Sequence, residues 1–365
     1  MYSAGSDIIE YLDHASFFSS RNVCHLHSAL CSLCRMQCLV SSDVHVAELP
    51  SFLLVHILAD FHTIYSPFLL PLAVVVMEYI NLEKYPLHDE KLLQPVIQKL
   101  KETFRRDGSL LIPGFIREEC IQTMAAEVVG LETHHRLEIV QPLFTDSSID
   151  KALFDQKLPV SHPLKHRLAQ DVHAVADDLI PKSAMLRQVY NLPLFLRFLA
   201  ILVDRKEVYP FADEFQALNV MYIRDGGSRA WHYDGSDFVI TLMLQQAQVG
   251  GEFEYAPFIR GPEGHENFNQ VQKLFCGSYA GTKMTKACAG DLALFNGRRS
   301  LHRVRTVYGA RDRIMSVLSY ARTPHEKGVP EKNVMLYGPR VAKLYEERGV
   351  QWKGTLYKSD AKAKL

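Results

Sequence analysis

The run Trp231-His232-Tyr233-Asp234, answered far downstream by His302, constrains this chain more than any other feature. A histidine, one spacer and a carboxylate in an extended strand can reach a single ion, because residues i and i+2 point to the same side. The third donor must then come from another strand of the same sheet or barrel, and Ser300-Leu301-His302-Arg303-Val304 supplies it. Two imidazoles and one carboxylate take one face of an octahedral metal and leave three positions open, the donor set of non-haem Fe(II) sites. The motif is read as opening a strand.

A lone His-x-Asp is weak evidence in a chain with 16 histidines, so its neighbours decide. Gly250-Gly251-Glu252-Phe253-Glu254-Tyr255 reads as a turn and strand. Gly290-Asp291-Leu292-Ala293-Leu294-Phe295, then Asn296-Gly297, places one hairpin just before His302. An arginine follows on the last strand. If the open positions take the chelating keto acid 2-oxoglutarate, its far carboxylate needs a fixed cation, and arginine offers a planar two-pronged donor that lysine does not. Arg311 and Arg313 share strand parity and both can point inward. Arg313 is preferred because the apolar run Ile314 to Tyr320 starts directly after it. Asn219, on an earlier strand, is an expected supporting hydrogen-bond partner.

Several segments resemble one family: Asn219-Val220-Met221-Tyr222, Trp231-His232-Tyr233-Asp234, Phe238 to Gln245, Gly250-Gly251-Glu252-Phe253-Glu254-Tyr255 and Ser300-Leu301-His302-Arg303-Val304. They are similar to the Fe(II)/2-oxoglutarate oxygenases related to the BesD/HalD-type amino-acid halogenases, from about Ile80 to about Pro324. The resemblance implies a double-stranded β-helix with N-terminal helices over its mouth. It also implies His232, Asp234 and His302 as iron ligands and catalytic residues, Arg313 as the 2-oxoglutarate receiver, and O2 as co-reactant. One departure matters. Halogenating members replace the carboxylate by a small residue and so admit chloride to the metal. Asp234 blocks that position, so hydroxylation is expected, coupled to decarboxylation of 2-oxoglutarate to succinate.

The rest of the chain is read in order. Asp89 to Arg106 carries Leu92, Leu93, Val96, Ile97, Leu100 and Phe104 at helical spacing before Gly108. Arg117 to Glu132 is a second amphipathic helix, and Ser183 to Val203 a helical stretch broken near Pro193. Residues 133–180 show no clear period, and their histidines read as surface or capping groups. Residues 260–286 read as a long Gly-, Asn- and Gln-rich excursion. After Val203 the period turns to two. Helices followed by short strands with Gly turns predict an α+β protein on a jelly-roll, cupin-like barrel. The expected domains are an extension over 1–79, an oxygenase domain over 80–340 (helical to about 205, barrel from about 206 to 324), and a tail over 341–365.

Composition bounds the alternatives. Lys+Arg and Asp+Glu both number 41, which argues against a broad nucleic-acid footprint. The seven cysteines suit reduced thiols in a cytoplasmic protein better than a disulfide framework, and no signal peptide is expected. Cys24, Cys31, Cys34 and Cys38 cluster, but the second pair of a zinc site is missing. The apolar stretch Ser51 to Met77 is interrupted by His56, Asp60, His62, Pro67 and Pro71, so no membrane span is expected. The substrate is expected to be a small polar metabolite such as an amino acid, on the strength of the resemblance and of helices closing the mouth. Asp213 and Glu214 are acids that could meet a substrate amine, or simply solvated acids. The competing readings are a prolyl- or lysyl-type protein hydroxylase and an inactive jelly-roll binding protein. Oligomeric state is not legible.

Overall fold

The period of two seen after residue 203 folds into a sheet with two distinct faces. The computed structural model describes residues 77–131, 135–142, 157–262 and 265–352, all within the unit spanning Ile64–Leu365. With strands numbered in chain order, the larger sheet runs β1 (Ser109–Ile112), β11 (Leu292–Phe295), β7 (Val239–Gln245), β14 (Arg313–Leu318), β5 (Leu218–Ile223), β3 (Arg167–Val175) and β2 (His135–Pro142). Every pairing in it is antiparallel. The smaller sheet runs β10 (Lys283–Thr285), β9 (Phe253–Ala256), β12 (Leu301–Val304) and β6 (Arg229–His232). Two short pairs join β13 (Val307–Tyr308) to β8 (Val249–Gly250) and β15 (Tyr320–Ala321) to β4 (Tyr209–Pro210). Both sheets line one cavity. The architecture is a double-stranded β-helix with helices packed against it.

Alternation decides which residues build the core and which build the cavity. Ile240, Leu242 and Leu244 of β7, with Ile314 and Leu318 of β14 and Leu218, Val220 and Tyr222 of β5, join the main apolar core. The residues between them, including Thr241, Met243, Arg313, Met315, Asn219 and Met221, face the cavity. The helices close the first face. They are α1 (Glu90–Asp107), α2 (Glu118–Val129), α3 (Met185–Tyr190) and α4 (Pro193–Leu202). Asp89 caps α1 by accepting from the amides of Lys91 and Leu92, and Gly108, at φ 64°, ends it in the left-handed region. Leu93 and Ile97 are the buried residues of α1, whereas Leu92 is 60% exposed, off the stripe that spacing alone suggested. Pro193 starts α4 as its first residue, which explains the break. Phe115 anchors the layer, its ring 5.4 Å from Phe195, 5.7 Å from Phe198 and 5.6 Å from Tyr85.

Three expectations are corrected. Residues 133–180 are not merely irregular: β2 and β3 extend the larger sheet. The excursion over 260–286 contains α5 (Phe268–Phe275), whose Val271 and Leu274 cover the outer side of Trp231 and Tyr233. The tail does not begin at 341. α6 (Pro330–Tyr337) is followed at once by α7 (Pro339–Glu347), and Val341 and Tyr345 pack with Phe215 in a second apolar cluster. As expected, the N-terminal helices pack on the barrel, where α1 to α4 cover the core face of the larger sheet.

Cys120, Cys276 and Cys288 are free thiols. Among the described residues no helix is long and apolar enough to cross a membrane. The cysteine cluster at 24–38 and the apolar stretch before Met77 lie outside the described residues.

Phe115→Ala should lower folding stability by about 3–5 kcal/mol, the usual cost of emptying a fully buried aromatic site. Chemical denaturation would measure it. A loss under about 1 kcal/mol would show that Phe115 does not anchor the helical layer.

Candidate functional site

Strand pairing brings the sequence-distant donors together. β12 pairs with β6 so that His302 sits directly opposite His232, and their ring centroids are 4.0 Å apart. Asp234 follows β6 by two residues, so the motif ends a strand instead of opening one. Its backbone amide donates to the Gly297 carbonyl at 3.0 Å, which turns the chain out of the sheet and aims the carboxylate back at the imidazoles. His302 Nε2 lies 3.2 Å from Asp234 Oδ2, and His232 Nε2 lies 3.6 Å from Oδ1. One ligand atom from each of the three residues falls within 4.8 Å of the others, as a single ion requires.

The histidine orientation fits a metal as well. Nδ1 of His232 lies 2.7 Å from the Ala230 carbonyl, and Nδ1 of His302 lies 3.0 Å from the Ser300 carbonyl. Each bond assigns the proton to Nδ1 and leaves the Nε2 lone pair free, which is how ligating imidazoles are commonly held. Phe295 and Phe253 wall His302 at 4.6 and 5.5 Å between ring centroids. Burial, then His302 and Arg229, hold His232 well below the usual histidine range, so it stays neutral. Burial alone would raise the Asp234 carboxyl. His302, by its charge and its hydrogen bond, together with His232 and Arg229, outweighs burial and keeps that carboxyl ionised well below the usual range. Two imidazoles and a carboxylate, fixed and convergent, suit a divalent cation.

Two glycines make room for the functional side chains. A Cβ on Gly297 would overlap the Asp234 carboxylate. The turn Asn296-Gly297 is thus a close-approach site as well as a hairpin bend. Gly251, at φ +69°, presents its carbonyl to Arg313 Nε at 3.0 Å, and a Cβ there would press on Arg313 Cδ at 3.0 Å. The Gly-Gly pair therefore seats this arginine.

Arg313 is 4% exposed and faces a cavity of about 240 Å³ that also holds the triad. Among the described residues, the hydrogen-bond partner of its two terminal nitrogens is the Met315 sulfur, at 3.7 Å. Burial, with Arg229 next, pushes its pKa down to about 10, still charged at neutral pH. Arg311 is exposed and reaches only the Ala247 carbonyl. Asn219 lines the cavity, and its buried Oδ1 has no hydrogen-bond partner among the described residues. Asp213 is neither a solvated acid nor turned to the cavity. Its carboxylate accepts from the amides of Phe215, Gln216 and Gly328 and from Asn333 Nδ2, tying the start of the barrel to α6. Glu214 is exposed and pairs with Arg348.

Arg229 and Lys332 escaped the reading of the sequence, yet both line the cavity. Strict alternation would put Arg229 on the opposite face from His232. The pairing of β12 with β6 shifts register between His302 and Val304, a bulge that gives β6 one extra residue and brings Arg229 round to the same side. Asp291, from the Gly290-Asp291 turn, fastens the wall by accepting from the amides of Gly114 and Cys288 at 2.8 Å.

Residues 162–335, which include the triad and Arg313, match the family described as Halogenase D. A comparison with curated proteins finds no match. Among solved structures the chain is similar to the non-haem α-ketoglutarate-dependent epimerase SnoN of nogalamycin biosynthesis. The identity there is 15% and the TM-score 0.44, over 62% of this chain and 81% of that one. It is also similar to HygX from Streptomyces hygroscopicus with nickel, 2-oxoglutarate and hygromycin B bound, at 12% identity and TM-score 0.42 over 63% and 88% of the two chains. A 2OG-Fe(II) oxygenase family oxidoreductase from Burkholderia pseudomallei gives 15% and 0.39 over 63% and 92%. The matched family stretch covers just under half of the chain's length.

Proposed function

We propose that the cavity hydroxylates a small polar metabolite such as an amino acid, coupled to decarboxylation of 2-oxoglutarate to succinate. His232, Asp234 and His302 would hold Fe(II), and Arg313 would receive the far carboxylate of 2-oxoglutarate. The observation that carries the reading is the Asp234 carboxylate itself, ionised and aimed between the two imidazoles. It fills the position that a halide would need, so oxygen transfer is the favoured outcome.

Iron, 2-oxoglutarate and O2 supply the oxidising chemistry when bound, and the chain supplies positioning and exclusion of water. His232 and His302 offer Nε2 lone pairs because their Nδ1 protons are committed to backbone carbonyls. Arg313, tethered through Nε to the Gly251 carbonyl, keeps its two terminal nitrogens for a carboxylate. Met315, Val317, Phe253 and Phe295 make the intervening wall apolar, which strengthens that charged contact. Asn219 Oδ1 is an acceptor awaiting a donor on a bound molecule.

Asp234→Ala should abolish hydroxylation, with chloride then able to perturb the ferrous site in visible spectra. Hydroxylase activity retained in that variant would sink the ligand assignment. Arg313→Gln should raise the 2-oxoglutarate concentration needed for half-maximal turnover by about thirtyfold or more, the effect of losing a buried charged pair. Arg311→Gln should leave it unchanged, and the reverse result would reassign the cosubstrate arginine. Gly297→Ala should displace Asp234 and weaken anaerobic Fe(II) binding by about 10–100-fold. It should change nothing when Asp234 is already glycine, a non-additivity that a general folding defect would not produce.

A further inference from the structure

We infer that Arg229 is a second anion receptor of the cavity and that the substrate docks there through a carboxylate. This rests on the reading of the cavity as an iron and 2-oxoglutarate site. The Arg229 guanidinium lines the cavity, and among the described residues no carboxylate lies within ion-pair distance of it. Most other buried or half-buried arginines are paired: Arg187 with Asp177, Arg205 with Asp237, Arg260 with Glu266, Arg303 with Glu254. Arg229 instead donates from Nε to His232 Nε2 at 2.8 Å, and from Nη1 to the Met221 sulfur at 3.4 Å.

That arrangement is incomplete. The Nε2 lone pair of His232 is the one a metal would take, so a loaded site would remove the only strong acceptor Arg229 has among the described residues. It would leave a half-buried guanidinium beside a dication, facing a thioether. An unpaired charge withdrawn from water is expensive, and such groups are normally found with a counter-ion. The acids of the cavity wall are committed elsewhere. Asp234 belongs to the triad, Asp291 holds two backbone amides, and Glu326 accepts from the Arg322 amide. The two carboxylates of 2-oxoglutarate already have receivers in the metal and Arg313. The missing acceptor is therefore a carboxylate on the substrate.

The rim fits an anionic guest. Arg205, Arg298 and Arg322 gather around the single carboxylate of Asp237, just before Phe238 on the cavity wall. Lys332 adds a further cation to that wall. A positive excess at a cleft entrance raises the local concentration of anions.

The test uses the full chain loaded anaerobically with Fe(II) and 2-oxoglutarate, as wild type, Arg229→Gln and Arg313→Gln. The visible metal-to-ligand band reports 2-oxoglutarate affinity. The twenty proteinogenic L-amino acids and their carboxamides are then added, scored by perturbation of that band and by succinate release in air. The inference expects at least one free acid to act where its carboxamide does not. It also expects Arg229→Gln to need about thirtyfold or more of that acid, with 2-oxoglutarate affinity within twofold of wild type. Arg229→Lys should recover part of the loss. Carboxamides as effective as the acids, no response to any acid, or an unchanged acid requirement in Arg229→Gln would each overturn it. A loss of 2-oxoglutarate affinity as large as in Arg313→Gln would overturn it too, by assigning Arg229 to the cosubstrate. If wild type shows no band at all, the iron and 2-oxoglutarate reading fails, which is a different result.

Discussion

The register between β12 and β6 is the constraint on which the site depends. It sets His302 opposite His232 and turns two residues far apart in sequence into adjacent donors. A slip of one residue would send one imidazole to the outer face, since side chains alternate strictly along a strand. The register is held from both sides. Behind the smaller sheet, Trp231, Tyr233 and Leu301 pack under Val271 and Leu274 of α5. Within the cavity, Phe253 and Phe295 confine the His302 ring. The outward residues between the donors thus fix where the donors point.

The same economy governs the larger sheet. Each of its central strands spends alternate residues on the helical core and the remainder on the cavity, so Ile314 and Leu318 stabilise the strand that carries Arg313. Stability and function are divided by face. Changes on the core face act through burial, at about 25 cal/mol per Å² of apolar surface. Changes on the cavity face remove polar groups that the fold itself does not require.

How much of this was legible follows from which physics is local. His232, Asp234, His302 and Arg313 could be read because parity along a strand and the chemistry of donors need no tertiary knowledge. The strand boundary could not: β6 ends at His232 because a hydrogen bond from Asp234 to the distant Gly297 carbonyl turns the chain. Gly297 looked like an ordinary hairpin residue, and only the proximity of Asp234 gives it a second reason to lack a side chain. Arg229 was hidden by a bulge, which breaks the parity rule that revealed the others. Asp213 looked free because its partners, Gly328 and Asn333, lie more than a hundred residues on. The strands over 135–175 that extend the larger sheet were missed because no clear period marks them.

Two cavity-lining arginines, Arg313 buried and Arg229 half-buried, both without carboxylate partners among the described residues, bear on how the protein is stabilised. A charge drawn away from water without a counter-ion is a cost that packing must offset. Arg313 recovers part of this through the Gly251 carbonyl, Arg229 through the His232 lone pair. The recovery at Arg229 competes with metal binding, because both claim one lone pair. The guanidinium is therefore more than a passive wall. On the proposed reading, a metal at the triad would claim the lone pair that Arg229 uses, and a carboxylate arriving with it would give the guanidinium a stronger acceptor. That coupling ties order of binding to charge: a cation at the triad makes the neighbouring position more costly for Arg229 and more attractive for a carboxylate. A neutral analogue, lacking the charge, would leave Arg229 with the worst of its arrangements, and discrimination against it follows from what is left unpaired.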